Sequence, residues 1–275
     1  MSSNIFDSLS FFTGIKKDEL DKNKVIEKVI EFKKKMVPFV IKESYKSIIP
    51  LKIFTCWHTK DLPPFMKKNM DNLKKSNPEF KLYVYDETTC LKFLSKNFNE
   101  DVLHAYNSLK PCSYKSDLWR FCNLYIKGGI YIDIKYRCVN NFKLIALTEK
   151  EYFVRDRGDY GVYTALIVSL PKNKILWDCI QKIVEHVKYK YYGSNALDPT
   201  GPGLLGSFFS REEINNMELY FEHTDIKNYY KDVYYIMYND RIILTYYNQY
   251  REEQKQHQKF DHYSVLWDKK DIYVM

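Results

Sequence analysis

The sequence predicts an α/β fold, a central sheet flanked by helices and preceded by a helical N-terminal arm. Three observations carry that expectation. From Ile49 onward, short runs rich in β-branched and aromatic residues alternate with longer amphipathic runs. Most of these runs stop at Pro, Gly, Asn or Asp. A chain of 275 residues with 45% apolar content can also bury a large core without disulfide staples.

Residues 1–48 read as the arm. Val25, Val29, Phe32 and Met36 recur at helical spacing. Pro38 interrupts them, because it lacks an N–H and its ring clashes with the preceding turn. Packing onto its own domain is the expected role of this arm, ahead of partner binding or dimerisation. Residues 49–275 are expected to form the main domain. Its first strand is "PLKIFTCWH", ending near Trp57. "PPFMKKNMDNLKKSNP" predicts a helix opened by proline and closed at Asn77 and Pro78. "FKLYVYDE" is a second strand ending at Asp86, and "TTCLKFLSKNF" and "EDVLHAYNSL" are helices. A helix over 116–127, a break at Gly128 and Gly129, and the strand "IYI" come next. "YFVRD" and "GVYTALIVSLP" are strands, and "NKILWDCIQKIVEHVKYKYYG" is a helix ended by Gly193. "DPTGPGLLGSFF" is a loop leading into a helix. The tail segments "YYIMYNDRIILTYYNQY" and "HYSVLWDKKDIYV" look β-rich, joined by a flexible polar link, "REEQKQHQKFD". In a sheet of this kind, ligands bind at the carboxyl ends of the strands.

The net charge of +8 favours anionic partners such as nucleotides and sugar phosphates. The lysines are interspersed with acids, and the compact block is Lys33, Lys34 and Lys35, which argues against a nucleic-acid groove. Six cysteines show no C-x-x-C pair and no histidine at zinc-finger spacing, so they are expected to be reduced core thiols. The start "MSSNIFDSLSFF" lacks the features of a signal peptide, and no apolar run reaches the length of a membrane span. A cytoplasmic protein without a transmembrane segment is expected.

The stretch with the most chemistry is "KSDLWRFCNLYIKGGIYIDIKYRCV". On a helix over 116–127, Leu118, Phe121, Cys122 and Tyr125 form a core stripe. Asp117 and Arg120 sit together at its edge. By residue type alone they read as an exposed intrahelical ion pair worth ~0.5 kcal/mol. Asp133 falls where the strand stops. A buried charge needs a partner, so it faces a cleft, a cation or hydroxyls. Lys135 points the same way, because side chains in an extended chain repeat every two residues. A plain Asp–Lys contact and a binding site both remain open at this point.

The same stretch resembles the DxD-containing core of glycosyltransferase family 32, the capsular-polysaccharide and fungal mannosyltransferase-like enzymes. "IPLKIFTCWH", "NPEFKLYVYDE", "LKPCSYKSDLWR", "DPTGPGLL" and "HYSVLW" resemble further motifs of that family in order. The resemblance runs from about residue 49 to the end and leaves the arm outside. It implies a GT-A fold, with a nucleotide-sugar-binding sheet joined to an acceptor-binding region. It also implies retaining transfer of a sugar from a UDP- or GDP-sugar to a hydroxyl of a glycan or protein. By position, Trp57 would stack on the nucleobase, and Asp117 and Arg120 would hold sugar and ribose hydroxyls. Tyr131 would join the donor contacts, and Asp133 would reach ribose, sugar and metal-bound water. Trp267 would cover the diphosphate, while Gly201, Pro202 and Gly203 would shape the acceptor side. The remaining histidines, His58, His104, His186, His223 and His257, are expected to be structural or exposed.

The chain departs from the family at one position. The second Asp of the motif, normally the metal ligand, is Lys135 here. A protonated lysine cannot ligate a cation. Either a divalent ion, Mn²⁺ in preference to Mg²⁺, is held by Asp133 and His262, or Lys135 itself neutralises the leaving diphosphate. An inactive nucleotide-sugar-binding protein is the alternative function.

Overall fold

The computed structural model describes residues 22–158, 161–224, 233–258 and 260–274, so the first 21 residues of the expected arm lie outside them. The arm helix, α1 (Lys22–Lys35), stops before Pro38. Phe32 meets Tyr235 edge-on at 5.8 Å, and Phe39 meets Phe142 at 5.0 Å. The Phe39 N–H donates to the Asn140 carbonyl at 2.7 Å. The described part of the arm therefore lies against the main body.

The expected alternation follows. Strand β1 (Lys52–Cys56) buries Ile53 and Phe54 completely. Helix α2 (Pro64–Ser76) begins on its proline and buries Met66, Asn69, Met70 and Leu73. After β2 (Lys81–Tyr85), Asp86 caps α3 (Glu87–Asn97) in a reciprocal box with Thr89. Asn99 caps α4 (Glu100–Ser108). Helix α5 (Cys112–Lys127) starts a turn earlier than its core stripe predicts. It ends at Gly128, whose φ of 56° is left-handed. Gly129 follows at φ 113°, and a Cβ there would sit 2.7 Å from the Lys52 carbonyl oxygen. Only glycine lets β3 (Gly129–Ile132) approach β1 this closely. Along β3, Ile130 and Ile132 enter one core layer and Tyr131 the other, as the two-residue repeat of a strand requires.

The remaining elements are β4 (Tyr136–Cys138), β5 (Tyr152–Arg155), β6 (Val162–Ser169), α6 (Lys174–Lys188), α7 (Pro202–Gly206) and α8 (Arg211–Asn215). Strands β7 (Leu219–Thr224), β8 (Val233–Tyr238) and β9 (Arg241–Tyr246) follow, then α9 (Tyr250–His257) and α10 (Tyr263–Asp268). Among the described residues, nine strands form one mixed sheet in the order β2-β1-β3-β6-β5-β7-β8-β9-β4. The expected α/β architecture, a mixed sheet flanked by helices, is what the chain adopts. The sheet curls. β3 is third in the order and β4 is last, yet only residues 133–135 join them. That seam is held from both sides: the Asp133 N–H donates to the Ala165 carbonyl at 2.8 Å, and the Tyr247 N–H donates to the Lys135 carbonyl at 3.0 Å. The Asn69 side chain adds bonds to the carbonyls of Ile134 and Tyr136.

Three expectations need correction. Helix α6 ends at Lys188, short of Gly193, because Lys190 takes a positive φ of 50° and the Tyr191 N–H folds back to the His186 carbonyl. The start of the polar link, "REEQKQH", is helical within α9. Its Glu253 is 4% exposed and accepts the N–H groups of Phe65 and Met66, at the start of α2, and the Tyr247 hydroxyl. The segment "HYSVLW" is also helical, opened by His262, whose side chain accepts the Ser264 N–H. All six cysteines are free; Cys90, Cys122 and Cys179 are buried, while Cys56, Cys112 and Cys138 are half-buried.

Candidate active site

The ends of β1 and β3, the first turns of α5 and the face of α9 enclose a cleft of about 380 Å³. That volume falls in the range of small-molecule sites. Its floor carries Arg120, Tyr131, Asp133 and Lys135. Asp133 sits at the strand end where the sequence places it, in the cleft lining with its side chain 20% exposed, and both carboxylate oxygens have partners. Oδ1 accepts the Tyr131 hydroxyl at 2.7 Å and lies 3.4 Å from an Arg120 nitrogen. Oδ2 lies 2.7 Å from the Lys135 ammonium. Burial alone would push the Asp133 pKa up, but Lys135 and Arg120 outweigh it and hold the carboxyl below its usual value. For Lys135, burial opposes the charge, and Asp133 with Tyr246 and Tyr250 more than offsets it, leaving the pKa above lysine's usual value. The ammonium lies 5.2, 5.5 and 5.6 Å from the ring centres of Tyr246, Tyr163 and Tyr136.

Asp117 and Arg120 are not the exposed pair that their spacing suggests. They are 6% and 5% exposed, which rules out a surface ion pair. Arg120 reaches the cleft, its guanidinium 4.3 Å from the centre of the Tyr131 ring. Its nitrogens donate to the Thr164 carbonyl at 2.7 Å, the Ser116 hydroxyl at 2.8 Å and the Ser116 carbonyl at 3.2 Å. Asp117 lies behind it and does not line the cleft. It is 3.4 Å from Arg120 and accepts the hydroxyls of Thr200 at 2.9 Å and Thr164 at 3.3 Å. Burial is the larger influence and pushes its pKa up to about 6, against the pull of Arg120 and Thr200.

Gly201, Pro202 and Gly203 do not line the cleft either. A Cβ on Gly201 would come within 3.4 Å of Asp117 Oδ2, and one on Gly203 within 2.3 Å of Asp198 Oδ1. This loop therefore acts on the site through Thr200 and Asp117, as a tightly packed support. Trp57 does line the cleft, 4.4 Å from the His58 ring, which in turn meets Phe260 at 5.2 Å. The Trp57 Nε1–H is buried with no hydrogen-bond partner among the described residues. His58, expected to be structural or exposed, belongs to the cleft. Trp267 does not: its indole N–H donates to the Tyr192 carbonyl at 2.6 Å, and Lys270 lies 4.2 Å from its ring centre. Neither of these partners lines the cleft.

Several lining residues were not singled out in the sequence. Ser116 links Arg120 to Cys56, its hydroxyl 3.0 Å from the Cys56 sulfur. Its place before Asp117 in "KSDLWR" was the available clue. A wall of stacked rings comes from β6 and the C-terminal strands, Tyr163 on Phe221 at 4.0 Å and Tyr234 on Tyr246 at 5.1 Å. Arg251, Gln254 and Gln258 line the cleft from α9 and its end.

The donor set does not fit a protein-held divalent ion. Both Asp133 oxygens face cations or a hydroxyl, and the second carboxylate of a D-x-D is replaced by a lysine. His262 lines the cleft with its Nδ1 2.8 Å from the Ser264 hydroxyl. Among the described residues, no three His, Cys, Asp or Glu side chains are grouped to hold a metal. Asp133 and His262, the two residues expected to hold an ion, both line the cleft.

Residues 63–153 match the family model described as "Glycosyltransferase sugar-binding region containing DXD motif". That region contains α5, β3 and the seam. The chain is 34% identical over 80 residues to an uncharacterized glycosyltransferase of Acanthamoeba polyphaga mimivirus, covering 29% of this chain and 32% of that one. It is 28% identical over 91 residues to the initiation-specific alpha-1,6-mannosyltransferase of Candida albicans, covering 31% and 24%. To the Schizosaccharomyces pombe protein of the same name it is 25% identical over 187 residues, covering 52% and 46%. The matches thus span less than half the length of each of these relatives. A solved structure titled "PaToxG Glycosyltransferase" superposes with a TM-score of 0.48 at 18% identity, over 70% of this chain and 79% of that chain. No helix among the described residues is long and apolar enough to cross a membrane. The segment that builds the cleft floor is similar to the sugar-binding region of glycosyltransferases.

Proposed function

We propose that the cleft binds a UDP- or GDP-sugar and transfers its sugar, with retention, to a hydroxyl of a glycan or protein, on a GT-A type sheet of family 32. One observation carries this reading: Asp133, Arg120 and Lys135 converge on the cleft floor at the end of β3, inside the segment that matches the sugar-binding region. The names of the fungal relatives favour a mannosyl donor.

In the proposed step the bond from the anomeric carbon to the diphosphate oxygen breaks, and its electron pair leaves with the diphosphate. The acceptor oxygen bonds to the same face of that carbon, and its proton passes to the departing phosphate oxygen. A separate general base is therefore not required. Arg120 and Lys135 supply preorganised positive charge where negative charge develops. The Asp133 carboxylate faces the sugar as positive charge grows at its anomeric carbon. Trp57 offers a ring for the nucleobase, and its unpartnered Nε1–H is a donor that a bound ligand would satisfy. Asp117 and Thr200 position Arg120 from behind.

A panel of UDP- and GDP-sugars including GDP-mannose, read by thermal shift and donor hydrolysis, tests the reading. Stabilisation by at least one donor, with hydrolysis abolished in Asp133→Asn, is expected. Absence of any donor effect would sink it. The lysine at position 135, paired with Asp133, favours one second reading, a nucleotide-sugar-binding protein without turnover. Donor binding with no hydrolysis and no transfer to any glycan would establish that reading instead.

A further inference from the structure

We infer that Lys135 takes the place of the divalent cation itself, so that this site binds the diphosphate of its donor without a metal ion. The inference rests on the nucleotide-sugar reading above and adds the identity of the charge that meets the diphosphate.

Charge balance carries the argument. The cluster on and behind the cleft floor holds two carboxylates, Asp117 and Asp133, one guanidinium, Arg120, and one ammonium, Lys135. Their formal charges cancel. With the carboxylate of a D-x-D at position 135, the same four groups would carry two net negative charges, which a divalent ion is suited to cancel. A single lysine therefore restores the neutrality that such a motif reaches with a bound cation. The geometry agrees. Lys135 Nζ sits 2.7 Å from Asp133 Oδ2, on the side of the strand end where the second carboxylate of the motif would project. Three tyrosine rings, Tyr136, Tyr163 and Tyr246, surround the ammonium and favour its charged form. An ammonium has three N–H donors, and the ion pair with Asp133 engages only one side of it. Lys135 also lines the cleft, with its side chain 16% exposed, so a phosphate oxygen can reach it. A divalent ion added beside it would face two fixed cations and a carboxylate already shared between them, an arrangement that opposes a further positive charge.

The test uses the full chain with UDP and GDP as probes, titrated calorimetrically in chelator and again with Mn²⁺, with Mn²⁺ alone followed by electron paramagnetic resonance. The expected result is binding of one nucleotide in chelator, with affinity changed less than about threefold by Mn²⁺, and an unperturbed spectrum for Mn²⁺ added to protein alone. Lys135→Gln keeps the size and loses the charge; it should bind the nucleotide at least about tenfold more weakly in chelator, since a buried carboxylate then lacks its partner. Lys135→Asp should bind weakly in chelator and recover with Mn²⁺. Circular dichroism checks that each variant is folded, and Lys135→Gln carries the test where Lys135→Asp is not. Tighter binding by about tenfold or more with Mn²⁺ in the unaltered protein would overturn the inference and leave the nucleotide-sugar reading standing. Equal affinity in Lys135→Gln would overturn it as well. No binding of either nucleotide under any condition would remove the nucleotide-sugar reading, and the inference with it.

Discussion

Replacing Asp117 by Asn should reverse the pH trend that a buried ion pair ordinarily gives. Asp117 lies 3.4 Å from Arg120, yet burial dominates and pushes its pKa from 3.8 up to about 6. An acid whose folded pKa is raised holds its proton more tightly in the folded chain. Between about pH 4 and pH 6 the folded state therefore binds more protons than the unfolded state, and stability falls as pH rises. A shift of roughly two units, at ~1.4 kcal/mol each, makes this contribution about 3 kcal/mol unfavourable at neutral pH. Asparagine has no proton to lose. Urea unfolding followed by tryptophan fluorescence, from about pH 4 to about pH 7, gives the difference in unfolding free energy between the two proteins. Taking the difference removes other titrating groups, including Asp156, which burial also pushes up to about 6. The difference should move by about 2–3 kcal/mol in favour of the Asp117→Asn variant across that range, over any constant offset from the weakened Arg120 contact. A flat difference would refute burial as the dominant influence on Asp117. A slope of opposite sign would mean that Arg120 governs its titration.

Gly129→Ala should cost about 2–4 kcal/mol, seen as a lower denaturation midpoint, because a Cβ would lie 2.7 Å from the Lys52 carbonyl oxygen at a φ of 113°. Glu253→Ala should cost about 3 kcal/mol by the same assay, since it strips acceptors from the buried N–H groups at the start of α2 and from Tyr247. Trp57→Ala should weaken UDP or GDP binding about tenfold in calorimetry if its ring meets the nucleobase; unchanged affinity would place the base elsewhere in the cleft.

The parts of the site that are local in sequence were legible. Gly128 and Gly129 mark the end of α5, and Lys135 does lie 2.7 Å from Asp133, although residues 134–135 reach that place through a turn rather than the extended chain the two-residue repeat assumes. Partners distant in sequence were not legible. The spacing of Asp117 and Arg120 fits an exposed pair equally well; their burial depends on Thr164 and Thr200, which no helical periodicity encodes. "REEQKQH" has the composition of a solvated link, yet it forms a helix whose Glu253 bonds to residues far earlier in the chain. Trp267 sits in a motif that resembles a diphosphate cover, but its N–H is taken by the carbonyl of Tyr192.

The seam at residues 133–135 has a mechanical consequence. It is the covalent hinge pin between the strand next to β1 and the strand that closes the curl beside β9, and its flanking bonds reach Ala165 on one side and Tyr247 on the other. Any breathing of the curled half against the β1–β3 half must therefore twist the backbone that carries Asp133 and Lys135. A ligand held by those two side chains would act as a brace across the gap. Amide exchange in β9 and the start of α9 should then slow on binding, although neither lies in the segment similar to the sugar-binding region.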